Sequence, residues 1–189
     1  MVLCALWGVS YLQEVHQLSA IAASNVASLI FMGSIVGCPL VGWLSDSMGR
    51  RKPLMLAGAI ATLLAVIPLF MGITLSETVL GLLFFALGLF TSTQVIAYPL
   101  IAESNRMDNT GVATGMASVI IMGNGGVGQV LFGVLMRQHA GAVTQHYRVA
   151  DFQFAMWMFP IATVVALLAI FLTRETYCER FNRSNDAND

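Results

Sequence analysis

Long charge-free apolar runs separated by short charged corners make up almost the whole chain. Five runs are of membrane-crossing size: residues 20–45, 53–76, 78–102, 109–136 and 152–173. A helix needs about 20 apolar residues to cross the ~30 Å hydrocarbon layer, at ~1.5 Å per residue. All ten acidic and nine basic residues fall outside these runs. The pattern predicts five transmembrane helices. A sixth apolar run, residues 1–12, is too short to cross unaided. No Lys or Arg precedes Arg50, so it lacks the positive flank of a secretory signal. It reads as the end of a helix whose beginning is missing.

The corners set the expected orientation. Arg50, Arg51, Lys52, Arg106, Arg174, Arg180 and Arg183 fall on one side if each run crosses once. Arg137 and Arg148 fall on the other, beside Glu14, Glu77 and Asp151. Seven basic residues against two direct the Arg-Arg-Lys corner and the C-terminus to the cytoplasm. The corners also carry helix punctuation. Ser19 and Ser76 suit helix starts, Pro53 a first helical turn, and Gly49 the left-handed position that ends a helix. The chain divides into a membrane domain, residues 1–176, and a polar cytoplasmic tail, residues 177–189, expected to be disordered.

Composition narrows the class further. Apolar residues make up 57% and charged residues 10%, with a mean hydropathy of +0.77, whereas soluble domains are about 25% charged. The net charge of −1 provides no basic footprint for nucleic acid. Cys4, Cys38 and Cys178 are too scattered for a metal site or a disulfide framework. No intramembrane Ser/His/Asp set or paired carboxylates occur, and HEXXH and GxSxG are absent. No enzyme activity, cofactor or metal is expected.

The corner Gly42-Trp43-Leu44-Ser45-Asp46-Ser47-Met48-Gly49-Arg50-Arg51-Lys52-Pro53 is the most specific string. Gly42 admits a close neighbouring helix. Asp46, where a helix leaves the membrane, can face the positive N-terminus of another helix. Arg50, four residues on, can hold that carboxylate. Such a latch can be made in one conformation and broken in another; the plain alternative is a solvated positive-inside loop. The string resembles G-x-L-(A/S)-D-x-x-G-R-R/K, the signature between the second and third helices of each half of the major facilitator superfamily.

Other strings resemble the second half of that fold. Trp7-Gly8-Val9-Ser10-Tyr11-Leu12, followed by His16-Gln17-Leu18-Ser19, looks like the outer end of a seventh helix. Gly111-Val112-Ala113-Thr114-Gly115 through Gln129 and Gly133 looks like a glycine-rich eleventh helix. Val130 stands where those relatives have proline, which puts their kink in doubt here. Leu172-Thr173-Arg174-Glu175-Thr176 is similar to a common twelfth-helix exit. The resemblance implies an all-α integral membrane bundle half, with five complete spans and a truncated first helix. A first-half assignment is the alternative.

In this fold solutes pass near the midplane between halves. Polar side chains inside spans are therefore the candidates for the solute path: Tyr11 (with Trp7 on the same helix), Asn25, Gln94, Tyr98, Asn124 and Gln129. Interhelical hydrogen bonding is the alternative for each. Gln94 and Tyr98, four apart, are expected to share a helix face. Gly111, Gly115, Gly125, Gly126 and Gly133 suggest close helix packing or a hinge. None of the five spans holds an acid or a histidine, so proton coupling is not legible.

The resemblance implies half of a secondary carrier for a small organic solute, amino acids among the possibilities, in a bacterial inner membrane. It would work by alternating access with a separate six-helix half or a second copy of itself. The alternative is a non-transporting scaffold or a split-gene remnant. A cysteine placed at Ser47 should react with a membrane-impermeant maleimide from the cytoplasmic side alone; labelling from outside would invert the assigned topology.

Overall fold

The computed structural model describes residues 2–71, 73, 75–140, 149–173 and 175–177. Among them there are helices and no strand. In chain order they are α1 (Val2–His16), α2 (Ala20–Met48), α3 (Lys52–Phe70), α4 (Glu77–Thr91), α5 (Ala97–Ser104), α6 (Thr110–Ala140), α7 (Val149–Met156) and α8 (Met158–Leu172). A 3₁₀ stretch, Ser92–Ile96, joins α4 to α5, and a shorter one, Met107–Asn109, leads into α6. Five stretches are long and apolar enough to cross a membrane: Ala20–Met48, Lys52–Leu69, Glu77–Ser104, Met107–Ala140 and Val149–Leu172. They coincide with the five charge-free runs. The protein is an integral membrane helical bundle.

Local chemistry fixes several ends. Ser19 caps α2 by accepting the Ala22 amide at 3.3 Å. Gly49 adopts φ 60° and returns its amide to Asp46 O, as a left-handed cap requires. Pro53 stands in the first turn of α3, where a missing N–H leaves no gap. Ser76 is the N-cap of α4 without a side-chain cap bond. Residues 141–148 of the connection after α6 and residues 178–189 of the predicted tail lie outside the described residues.

Two of the expected single helices are interrupted. The last span breaks at Trp157, between α7 and α8. Pro160 contributes to it: its ring crowds the carbonyl four residues back and it offers no amide there, while in the first turn of α8 it is tolerated. The third span gives way to the 3₁₀ stretch just ahead of Pro99. Pro39, by contrast, lies within an unbroken α2, so proline alone does not end a helix here. α6 runs without interruption through Val130, where relatives were expected to kink.

α2 against α4 is the densest packing in the bundle. Gly33 and Gly88 make it possible, and reciprocally: a Cβ on Gly33 would overlap the Phe85 carbonyl oxygen, and one on Gly88 would overlap that of Ile30. Each missing side chain admits the other helix's backbone. The packed stripe of α2 is Ala23, Val26, Ala27, Ile30, Gly33, Gly37, Val41 and Ser45, a period of three to four. Gly42 lies about 100° beyond Val41 on the helical wheel and meets nothing within 4 Å. Among the described residues no helix makes the close approach there that the signature suggests.

The glycines of α6 also differ from expectation. A Cβ on Gly111, Gly115, Gly125 or Gly126 would meet nothing within 4 Å; Gly133 alone of the five is packed, with Trp7 at 3.1 Å. Their spacing signals a face prepared for close approach, but none of the described residues approaches it. α1 docks through an aromatic cluster: Trp7 lies 5.4 Å from Phe132, and Tyr11 lies 6.0 Å from Phe152. Near that corner His139 Nδ1 and Asp151 Oδ1, 2.6 Å apart, tie the end of α6 to the start of α7.

Gly88→Ala should lower stability in detergent by about 1–3 kcal/mol, the usual cost of overpacking a tight contact. Gly115→Ala, which adds a methyl to open space, should stay within about 0.5 kcal/mol. Thermal unfolding midpoints of the two variants provide the check, and equal midpoints would refute the interlock.

Candidate functional site

The signature corner joins α2 to α3, and its local problem is an uncapped helix. Arg51 occupies the N-cap position of α3 without a side-chain cap bond, so the first amides of α3 need acceptors from elsewhere. Glu175, past the end of α8, supplies both: Arg51 N donates to Oε1 at 2.7 Å and Lys52 N to Oε2 at 2.9 Å. Burial alone raises the pKa of Glu175. Backbone N–H bonds from Arg51, Lys52, Tyr177 and Thr176 outweigh that effect and hold it below the ordinary carboxylate value.

Lys52 repays the contact at the other helix end. Its Nζ donates to Thr173 O at 2.6 Å and to Phe171 O at 3.2 Å, taking up carbonyls that the end of α8 leaves open. Thus α3 and α8 cap one another.

The Arg51 guanidinium ties in two more segments. Nη1 donates to Asp46 Oδ1 at 2.6 Å and to Ser45 Oγ at 2.9 Å. Nη2 donates to Glu103 Oε1 at 2.6 Å, and Nε reaches Glu103 Oε2 at 3.5 Å. Thr176 Oγ1 donates to Glu103 Oε2 at 2.6 Å. The ends of α2, α3, α5 and α8 therefore meet in one hydrogen-bonded cluster. Side-chain exposure separates the roles: 6% for Arg51 and 13% for Glu103, but 69% for Asp46. Arg51–Glu103 joins a buried guanidinium to a part-buried carboxylate, whereas the Asp46 carboxylate is largely exposed.

Arg50 does not hold Asp46 as the spacing suggested. A four-residue pair needs a continuing helix, and α2 stops at Met48. Beyond the left-handed Gly49 the register is lost, Arg51 takes the carboxylate, and Arg50 lies 5.9 Å over the Tyr177 ring. Ser45, Glu103, Glu175 and Thr176 escaped the reading as a group. Only the likeness of the α8 exit to a recurrent string, and the position of Glu103 just past an apolar run, hinted at them.

The solute-path candidates do not form one cluster. Tyr11 is buried and donates to Leu69 O at 2.7 Å, which braces α1 on α3. Asn25 is exposed near the start of α2, the opposite end from Asp46. Gln94 is exposed in the 3₁₀ stretch, and Tyr98 is half-buried on α5. The interval between them begins in the 3₁₀ stretch, which advances about 120° per residue instead of about 100°, so the offset differs from that of a regular helix. Asn124 is exposed midway along α6, and Gln129 is half-buried. No group of three or more potential metal ligands occurs among the described residues.

Two outcomes are expected from this geometry. Arg51→Gln leaves the part-buried Glu103 without its guanidinium and should cost about 2–4 kcal/mol, whereas Asp46→Asn, an exposed pair, should cost under about 1 kcal/mol. Unfolding midpoints in detergent distinguish them. Because the folded pKa of Glu175 is depressed, its contribution is fully present above the unfolded value and lost as pH falls through the folded one. Glu175→Gln should therefore flatten the acid limb of the stability–pH curve and lower the plateau near neutrality; an unchanged curve would refute the cap.

The family model described as Major Facilitator Superfamily matches residues 1–187. The membrane sensor protein UhpC of Salmonella typhimurium (strain LT2) is 28% identical over 116 residues, which cover 60% of this chain. The matched part amounts to 26% of that protein's length. No solved structure matches the chain. The match over nearly the full sequence agrees with an all-helical membrane bundle carrying the signature corner, and the chain belongs to the major facilitator superfamily.

Proposed function

We propose that this chain is one half, the second, of a secondary active carrier for a small organic solute, with amino acids as one candidate class. The observation that carries the reading is the open face of α6. Most of α6 is exposed, including Asn124 at its middle and the glycines Gly111, Gly115 and Gly126. In hydrocarbon an exposed amide is costly, and glycines in open space provide close approach for a helix not yet present. Both features suit a face that meets a second six-helix half, or a second copy, across a solute path.

The Arg51 cluster supports a matching role at one membrane side. It joins helix ends of this half only, so rocking of one half against the other leaves it intact. Asp46 is the member that reaches outward, oriented by Arg51 and available to the positive end of a partner helix. In this reading Asp46 is the latch and Gly42, Gly49, Arg50, Arg51 and Lys52 build its corner. The basic residues at that end suit the cytoplasmic face of a bacterial inner membrane, with the C-terminus inside.

A second reading draws on the relative, which is named a membrane sensor. There the same two-state bundle would bind a solute and report it to a partner without net passage.

Uptake by cells expressing this chain should appear only on co-expression with a first six-helix half. In that assembly Asp46→Asn should change the rate about two- to fivefold, the worth of one carboxylate at a helix terminus. Saturable solute binding without uptake would favour the sensor. Neither binding nor uptake, with both halves inserted, would leave the scaffold.

A further inference from the structure

The third span, Glu77–Ser104 (28 residues), is irregular a little past its middle, and its irregularity has an identifiable seat. Three consecutive hydroxyls turn back on the helix. Thr91 Oγ1 donates to Leu87 O at 2.7 Å, Ser92 Oγ to Leu89 O at 2.6 Å, and Thr93 Oγ1 to Phe90 O at 2.8 Å. Such bonds compete with the amide ladder and bend helices. Pro99 then withholds the amide that the Val95 carbonyl would receive in a regular helix. The 3₁₀ stretch that results has five residues, longer than the three or four that are usual.

Two glycines from two other helices make room for it. A Cβ on Gly37 of α2 would stand 2.5 Å from Ser92 Oγ and 3.1 Å from Leu89 Cα. A Cβ on Gly58 of α3 would overlap Oγ1 and Cγ2 of Thr93. A 3₁₀ helix turns about 120° per residue, so three successive side chains point in three directions. Ser92, 1% exposed, enters the Gly37 gap; Thr93 enters the Gly58 gap; Gln94 is directed away from both and is exposed.

We propose that Gly37 and Gly58 are positioning residues that seat the 3₁₀ stretch and so turn the Gln94 amide to the open side of the bundle. The inference rests, for its functional meaning, on the carrier reading of Gln94. An amide donates and accepts at once, so the solute group it suits is uncharged or zwitterionic and presents both a donor and an acceptor. The seat itself stands on contacts within this chain and is testable without transport.

The experiment places a nitroxide on Gln94→Cys in the full chain, with Cys4, Cys38 and Cys178 changed to Ser, reconstituted in liposomes. Mobility and the ratio of oxygen to nickel-chelate accessibility are then read. Gly58→Ala should change that ratio about fivefold or more, because the added methyl forces Thr93 out of its gap. Ala57→Val, one residue away on an exposed position, should leave it unchanged. Thr93→Val keeps the volume but removes the bond to Phe90 O, and should move the ratio even where Gly58→Ala fails to insert. An unchanged ratio in an inserted Gly58→Ala or in Thr93→Val overturns the inference.

A second measurement separates this from the carrier reading. In a co-expressed carrier, Gly58→Ala should raise KM about two- to tenfold with maximal velocity kept, the effect of one misaimed hydrogen bond. A moved nitroxide with unmoved KM would uphold the seat and remove Gln94 from the solute path.

Discussion

Two apolar helices in lipid gain little from hiding apolar surface from one another, because the surrounding tails are as apolar as they are. Association has to come from close fit and from polar groups that need partners. The contact of α2 with α4 meets the first requirement, with Gly33 and Gly88 each admitting the other helix's backbone. The Arg51 cluster meets the second at the membrane edge. α8 hangs from the second anchor through its exchange of caps with α3, while α1 docks its aromatic side chains on α6 and α7. α6 joins neither anchor, and its span is among the least buried.

This division of labour explains why the spans were legible and their contacts were not. Burial in lipid demands about 20 uncharged residues per crossing, a requirement met residue by residue, so the five runs announce themselves. Contacts obey a weaker rule. Gly33-xxx-Gly37 and Gly111-xxx-Gly115 are the same pattern, yet the first is packed and the second is not. Nothing local separates them, because the difference is whether another helix happens to lie opposite.

The corner teaches the same lesson in electrostatics. The spacing of Asp46 and Arg50 is that of a helical pair, and it is defeated by Gly49, whose left-handed turn the signature itself supplies. Gly49 could be read for its cap and Arg50 for its charge, but their combination hands Asp46 to Arg51. The partners of Arg51 come from α5 and from beyond α8, more than 50 residues away. Long-range polar partners of this kind leave no periodic trace. The two helix breaks are intermediate: Pro99 and Pro160 stand in the sequence, but Pro39 lies in an unbroken helix, and at Pro99 the three hydroxyls of Thr91, Ser92 and Thr93 add to the strain.

The exchange of caps between α3 and α8 also bears on how the chain is made. Glu175 follows Arg51 by 124 residues, and at ribosomal speeds of about 5–20 residues per second it emerges many seconds later. Until then the first turn of α3 lacks the carboxylate that accepts its Arg51 and Lys52 amides. A turn made earlier is thus fastened by a residue made much later, a stitch between two distant parts of one strand.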